Sequence, residues 1–182
     1  MANKKVDNLA IANLRVLAIE AINEAKSGHP GIALGAAPIL HNLYCYHLKV
    51  DPKNSNWFNR DRFVMSAGHG SSILYATLAL AGYKISLKDL KNFRQLDSPT
   101  PGHPEVDITD GVDVSTGPLG QGIGMAVGLA MAESHLAKVF NKEDSKIVNH
   151  YTYCLCGDGD LQEGVAVYHP ASHNNAFTYV FL

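Results

Sequence analysis

Apolar and polar positions fall into blocks whose period changes along the chain. From Val6 to Ala25, the residues Leu9, Ala12, Leu14, Val16, Leu17, Ile19, Ala21 and Ile22 recur at helical spacing. They are too dense for a narrow stripe, which predicts a well-buried helix. Ser27-Gly28-His29-Pro30-Gly31 breaks that pattern, and a second helix is expected from about Gly35 to His47, ended by Asp51-Pro52. Arg62 to Ser66 is a short apolar run that predicts a buried strand, followed by Ala67-Gly68-His69-Gly70 and an apolar helix from Ser71 to Ala81. Ser86 is placed to cap a shorter helix through Phe93. Ser98 to Ser115, rich in Pro, Gly, Thr and Asp, reads as an ordered loop. Gly117 to Gly122 leads into a long helix from Ile123 to about Val139, and Asn141 to Asn149 is a polar connector. Tyr151 to Cys156 predicts a strand, a helix is expected to begin near Leu161, and Phe177 to Leu182 reads as a last strand. Short strands alternating with helices define an α/β layered fold.

Composition narrows the class. A chain of 182 residues is long enough for one domain with a sizeable core, and 46% hydrophobic with 18% charged residues is a globular balance. A net charge of -2 gives no electrostatic case for nucleic acid or an anionic membrane. No stretch is expected to reach the apolar length of a membrane span. The N-terminus lacks the apolar core of a secretion signal, so a cytoplasmic location is expected. The odd set Cys45, Cys154 and Cys156 fits reduced thiols. Cys154 and Cys156 share one face of their strand and read as small buried hydrophobes more readily than as a metal or redox pair.

Candidate chemistry sits in the turns. Gly28-His-Pro-Gly31, Gly68-His-Gly70, Gly102-His-Pro104 and Gly157-Asp-Gly159 each follow or join regular elements, and Gly117 to Gly122 has the same character. In an open parallel sheet, ligands bind beyond the carboxyl ends of the strands. Glycine there lets backbone N–H groups approach anionic oxygens. Any one of these motifs is also satisfied by a simple turn, and a lone histidine is more often packed or solvated than a ligand. Three histidines at glycine turns argue more strongly for a convergent site, whereas His41, His47, His135 and His150 have no motif around them. Asp158 offers a hard oxygen suited to Mg²⁺ or Ca²⁺, and no His or Cys pair has zinc-ligand spacing. The alternative is that Gly-Asp-Gly is only a tight turn. No phosphate-binding loop with a Gly-Lys-Ser/Thr ending is present, nor a strand followed by Gly-x-Gly-x-x-Gly, which argues against a nucleotide-binding module.

Taken in order, Lys26-Ser-Gly-His-Pro-Gly31, Asp61 to Ser71, Thr100-Pro-Gly-His-Pro-Glu105, Ser115-Thr-Gly-Pro-Leu-Gly-Gln-Gly122 and Gly157-Asp-Gly-Asp-Leu-Gln-Glu-Gly164 resemble the N-terminal, diphosphate-binding domain of the transketolase family. Dihydroxyacetone synthase and related ketol transferases share much of this pattern. The resemblance implies a parallel-sheet thiamine-diphosphate-binding fold, C-terminally incomplete, forming one partial domain over residues 1–182 and matching less well after about residue 165. It implies a transferase of the pentose phosphate pathway. Such an enzyme moves a two-carbon ketol unit from a ketose phosphate to an aldose phosphate, with thiamine diphosphate and Mg²⁺ (or Ca²⁺). His29 and His103 match histidines that contact the donor sugar near its reacting carbons, and His69 one that reaches the cofactor diphosphate. Gly117 and Leu119 match the segment lying against the cofactor, Asp158 the metal ligand, and Gly159 the adjacent diphosphate contact. Glu163 matches a glutamate in the network linking the two cofactor sites of a dimer.

The match weakens after Gly164. Tyr168 stands where the family carries a second glutamate, Pro170 would break a helix the family continues, and Asn174 and Asn175 read as loop residues. The family's asparagine metal ligand would fall beyond Leu182. The expectation is therefore a truncated chain, inactive alone and completed by a homo-oligomeric or complementing transketolase partner. The apolar edge from Phe177 to Leu182 would favour poor solubility or dependence on that partner. The alternative is a non-catalytic remnant that keeps the diphosphate-binding turns and pairs with an intact subunit through Gly117 to Val139.

Overall fold

The computed structural model describes residues 4–167 and 177–181. Strands β1 (Arg62–Met65), β2 (Thr152–Cys156) and β3 (Phe177–Phe181) form a parallel sheet in that order. Arg62 pairs with Thr152 and Met65 with Leu155, while Thr152 pairs with Phe177 and Cys156 with Phe181. Alternation along the strands divides the core in two. Phe63, Met65 and Leu155 pack with α1 (Lys4–Ala25), α2 (Pro30–Asn42) and α3 (Ser71–Ala81). Val64, Cys154 and Cys156 pack instead with Ile123 and Ala126 of α5 (Gln121–Phe140). The sheet is thus covered on both faces, as parallel strands require. Cys154 and Cys156 are buried and free, in keeping with their reading as small hydrophobes.

Several boundaries agree with the sequence pattern, and four points differ. Helix α1 is less buried than its apolar density predicts. Leu14, Ala18 and Ala21 are its buried residues, while Val6, Leu9 and Val16 are 57%, 64% and 53% exposed. Ala18 and Ala21 join the alanine face of α2 (Ala33, Ala36, Ala37) in the core, and α1 also packs on α3 and α4, so one broad face is covered and the opposite one is left to solvent. Helix α2 begins at Pro30 instead of Gly35. Proline fits the first helical position because the N–H it lacks would have no partner there. This helix passes into a π turn, Leu43–His47, which the Leu48 N–H closes onto the Leu43 carbonyl at 2.9 Å. Helix α6 (Asp158–Gln162) starts before Leu161, directly after Gly157, and α7 (Gly164–Val167) follows. Finally, α5 is 20 residues long and, by length and composition, apolar enough to cross a membrane, contrary to expectation. Its Ile123, Ala126 and Ala130 are buried, and Met125, Met131, Val139 and Phe140 are exposed.

Ser86 caps α4 (Leu87–Lys91) reciprocally with Asp89, as its position predicts. The segment from Ser98 to Ser115 contains no helix or strand, and side chains tie it down. The Thr100 hydroxyl donates to the Asp89 carbonyl at 2.7 Å, and the Phe63 N–H donates to Asp113 at 2.9 Å. Tyr168, Pro170, Asn174 and Asn175 lie outside the described residues.

Candidate functional site

Strands β1 and β2, paired in parallel, end at one rim. β1 finishes at Met65, whose carbonyl accepts from the Thr116 hydroxyl at 2.7 Å. The chain then turns through Gly68–Gly70 and presents His69 just before α3. A Cβ on Gly68 would lie 2.8 Å from Thr116 Oγ1 and 2.9 Å from the Gly117 nitrogen. Only glycine lets this turn pass beneath the Thr116–Gly117 backbone. Gly122, in the first turn of α5, is tighter still: a Cβ there would sit 2.5 Å from the Ser66 Cα.

The structure brings the predicted histidines together. His29 occupies the position preceding α2, and its ring meets that of His69 edge-on with centroids 5.0 Å apart. His103 comes from the long loop. The Tyr75 hydroxyl donates to its carbonyl at 3.0 Å, and the Ser71 hydroxyl donates to the neighbouring Gly102 carbonyl at 2.7 Å. A Cβ on Gly117 would lie 3.5 Å from the His103 ring, so loop and imidazole are in contact. Burial, then the nearby His29, lowers the His69 pKa from its usual 6.5, with Asp160 opposing the shift and His103 adding to it. Burial, then Arg94, lowers that of His103. Both rings are therefore uncharged near neutral pH. Arg94 also donates to the Ser27 hydroxyl at 2.7 Å, joining the first glycine turn to the third.

The second half of the rim follows β2. Asp158 opens α6, is exposed, and makes no hydrogen bond or ion pair among the described residues. A Cβ on Gly159 would lie 3.5 Å from Leu119 Cδ1, which places the Gly117–Leu119 loop over this turn. Glu163 is exposed just past α6, and its Cβ lies 2.9 Å from where a Cβ on Gly120 would be.

Asp160, which the sequence reading passes over, is fully buried at the centre of these turns. Its Oδ1 accepts from the Ser66 hydroxyl at 2.7 Å and from the Gly120 N–H at 2.9 Å, and its Oδ2 accepts from the Gly157 N–H at 2.9 Å. One carboxylate therefore joins the ends of β1 and β2 to the start of α5. The available signal was its position three residues after Gly157, where an acidic side chain reaches back to the residue preceding a helix.

Among the described residues, no group of three or more His, Cys, Asp and Glu side chains could hold a metal by itself. The free Asp158 carboxylate suits a hydrated divalent ion that takes its remaining oxygens from water and a diphosphate. The uncharged His69 and the closely approached glycine backbone suit the anion. The donor set thus fits a metal diphosphate group.

A parallel sheet covered on both faces, with glycine–histidine turns gathered beyond its strand ends, is an α/β domain built to hold a phosphorylated cofactor. The family model described as transketolase, thiamine diphosphate binding domain, matches residues 6–174, and the chain belongs to that family. The transketolase of Geobacillus stearothermophilus is 60% identical over 161 residues, which cover 88% of this chain and 24% of that protein. The solved transketolase of Leishmania mexicana superposes with a TM-score of 0.87 at 51% identity, covering 92% of this chain and 24% of that one. A Pichia stipitis transketolase in complex with sedoheptulose 7-phosphate superposes with a TM-score of 0.87 at 49% identity, over 89% of this chain and 24% of that one. The chain thus spans about a quarter of the length of these relatives, and thiamine diphosphate is the cofactor of the family it belongs to.

Proposed function

We propose that this chain supplies the diphosphate-binding part of a transketolase, which transfers a two-carbon ketol unit from a ketose phosphate to an aldose phosphate. The observation that carries this reading is the convergence of His29, His69 and His103 on the Gly117 loop, beside the Asp158 turn. Bound thiamine diphosphate supplies the carbanion chemistry such a transfer needs. The chain's residues bind and orient around it. His69 would donate a ring N–H to the diphosphate, and Gly117 and Leu119 would line the cofactor's side of the rim. Asp158 would ligate Mg²⁺ (or Ca²⁺), with the Gly159 backbone beside it. His29 and His103 hold the donor sugar's hydroxyls and accept and return protons at their ring nitrogens. Glu163 belongs to the link between two cofactor sites.

The sugar-phosphate assignment draws support from the Pichia stipitis complex with sedoheptulose 7-phosphate. Pairing of two chains draws support from the exposed apolar residues Met125, Met131, Val139 and Phe140 along α5. A reducing cytoplasmic setting draws support from the free thiols of Cys45, Cys154 and Cys156. The chain spans 24% of a relative's length, and ketol transfer is proposed for the whole enzyme to which this domain contributes. The test is calorimetric titration of the chain with thiamine diphosphate and Mg²⁺. Wild type should release heat, and Asp158→Ala should release none while melting at the same temperature, since its exposed side chain has no partner among the described residues. Absence of heat from the wild type would refute the reading.

A further inference from the structure

Away from the glycine turns, Asp7, His41, Cys45 and Tyr46 form a second polar cluster. Asp7 Oδ1 accepts from the Tyr46 hydroxyl at 2.6 Å and lies 3.0 Å from His41 Nε2. His41 Nδ1 lies 3.5 Å from Cys45 Sγ. A carboxylate has no proton to give, so Nε2 carries the ring hydrogen and Nδ1 is left to accept one from the thiol. Nucleophile, base and orienting carboxylate are thus in sequence. Cys45 and Tyr46 lie in the π turn Leu43–His47, a helical irregularity that recurs at functional sites. His41 is 9% exposed, whereas Cys45 is open to solvent. Both line a cleft of about 320 Å³ whose walls include Ala10, Leu14, Leu48 and Leu80.

We propose that Cys45 is a covalent modification site for α,β-unsaturated carbonyl compounds bearing an apolar substituent, with His41 as its base and Asp7 orienting His41. The thiol proton passes to His41 Nδ1 as the sulfur lone pair forms a C–S bond to the β-carbon. The C=C π pair moves toward the carbonyl, and His41 returns the proton to the α-carbon. No oxidant or second reactant is needed, and the apolar substituent occupies the cleft. Asp7 stabilises the imidazolium that forms in passing. Partial desolvation against the cleft wall, then the Asp7 charge, raise the pKa of the Cys45 thiol and keep it protonated at rest, so its reactivity depends on proton transfer and not on a standing thiolate. The titratable groups facing it are Asp7 from α1 and His41, Tyr44 and Tyr46 from its own segment. Helix α3 contributes Thr77, Leu80 and Ala81 to the cleft, none of them charged.

The test treats the full chain with N-ethylmaleimide and N-cyclohexylmaleimide, using an unstructured cysteine peptide as reference and peptide mapping to locate the adducts. Cys45 should react while the buried Cys154 and Cys156 do not. The cyclohexyl reagent should be favoured over the ethyl reagent by more than the peptide favours it. His41→Asn should slow Cys45 by about tenfold or more, and Asp7→Asn should slow it by a smaller factor. The wild-type rate should rise with pH less steeply than the tenfold per unit that a plain thiol shows below its pKa. Circular dichroism checks that each variant is folded; should His41→Asn not fold, Asp7→Asn and the wild-type pH profile decide. A wild-type slope of tenfold per unit, or a folded variant at either position reacting at the wild-type rate, overturns the proposal.

Discussion

Replacing Asp160 by asparagine isolates what one buried carboxylate does for the rim. Asparagine keeps the shape but offers one acceptor oxygen where aspartate offers two. If the oxygen stays at the Oδ1 position it still accepts from Ser66 and Gly120, and the new NH₂ then points at the Gly157 N–H, which is 2.9 Å from that site in the native chain. A donor left facing a donor costs about 1–3 kcal/mol. The two retained bonds lose their charge assistance, which roughly halves their strength. Removing a charge from a fully buried position works the other way and offsets part of this loss. The net expectation is a destabilisation of about 1–3 kcal/mol, which for a chain of this size lowers the melting temperature by roughly 3–10 °C. Asp160→Ala, which abandons all three donors, should fall further. Thermal melts followed by circular dichroism read both, and titration with thiamine diphosphate and Mg²⁺ should show weaker binding, because Gly120 and Gly157 border the cofactor turns. An asparagine variant as stable as wild type to within about 1 °C, or more stable, would show that charge burial outweighs the three hydrogen bonds.

Two other outcomes follow from the same geometry. Gly122→Ala should destabilise the chain by about 1–3 kcal/mol in urea unfolding, because its Cβ would meet backbone and side chain of Ser66 at 2.5–2.8 Å; an unchanged midpoint would count against the packing of α5 on β1. Stability should also depend on His69 and His103, whose folded-state pKa values lie below the usual 6.5. A lowered histidine pKa means that the unfolded chain binds protons first, so this contribution is complete above about pH 6.5 and is lost as pH falls through the folded values. Melting temperatures should decline as pH falls below about 6.5, and the decline should be shallower in His69→Gln; equal slopes would contradict the sign.

Where a signal was local, the sequence carried it. Arg62 to Met65 followed by Gly68-His-Gly70 marks a strand and its turn, and Ser86 with Asp89 marks a helix start. His29, His69 and His103 were legible as one site because glycine framed each of them. Pro30 misled because a breaker in mid-helix is a good first residue, and α2 begins on it. The apolar density of α1 overstated its burial, since the side chains of Val6, Leu9 and Val16 remain largely exposed. Asp160 was hidden by its neighbour. Two aspartates two residues apart look alike in sequence, and only the fold turns Asp158 to solvent and Asp160 inward. His41 had no motif because its carboxylate partner, Asp7, stands 34 positions earlier on another helix.

Asp61 is buried and holds the Lys49 N–H at 2.8 Å and the Tyr151 N–H at 2.7 Å, the second across 90 positions of chain. Helices α1 to α3 can dock through nearby contacts, but β1 gains its parallel neighbour only when a loop of that size closes. Pairing across so long a loop is intrinsically slow, and the cofactor rim comes into being with it. A nascent polypeptide that has not yet emerged past β2 would carry all three rim histidines without a place to hold a diphosphate.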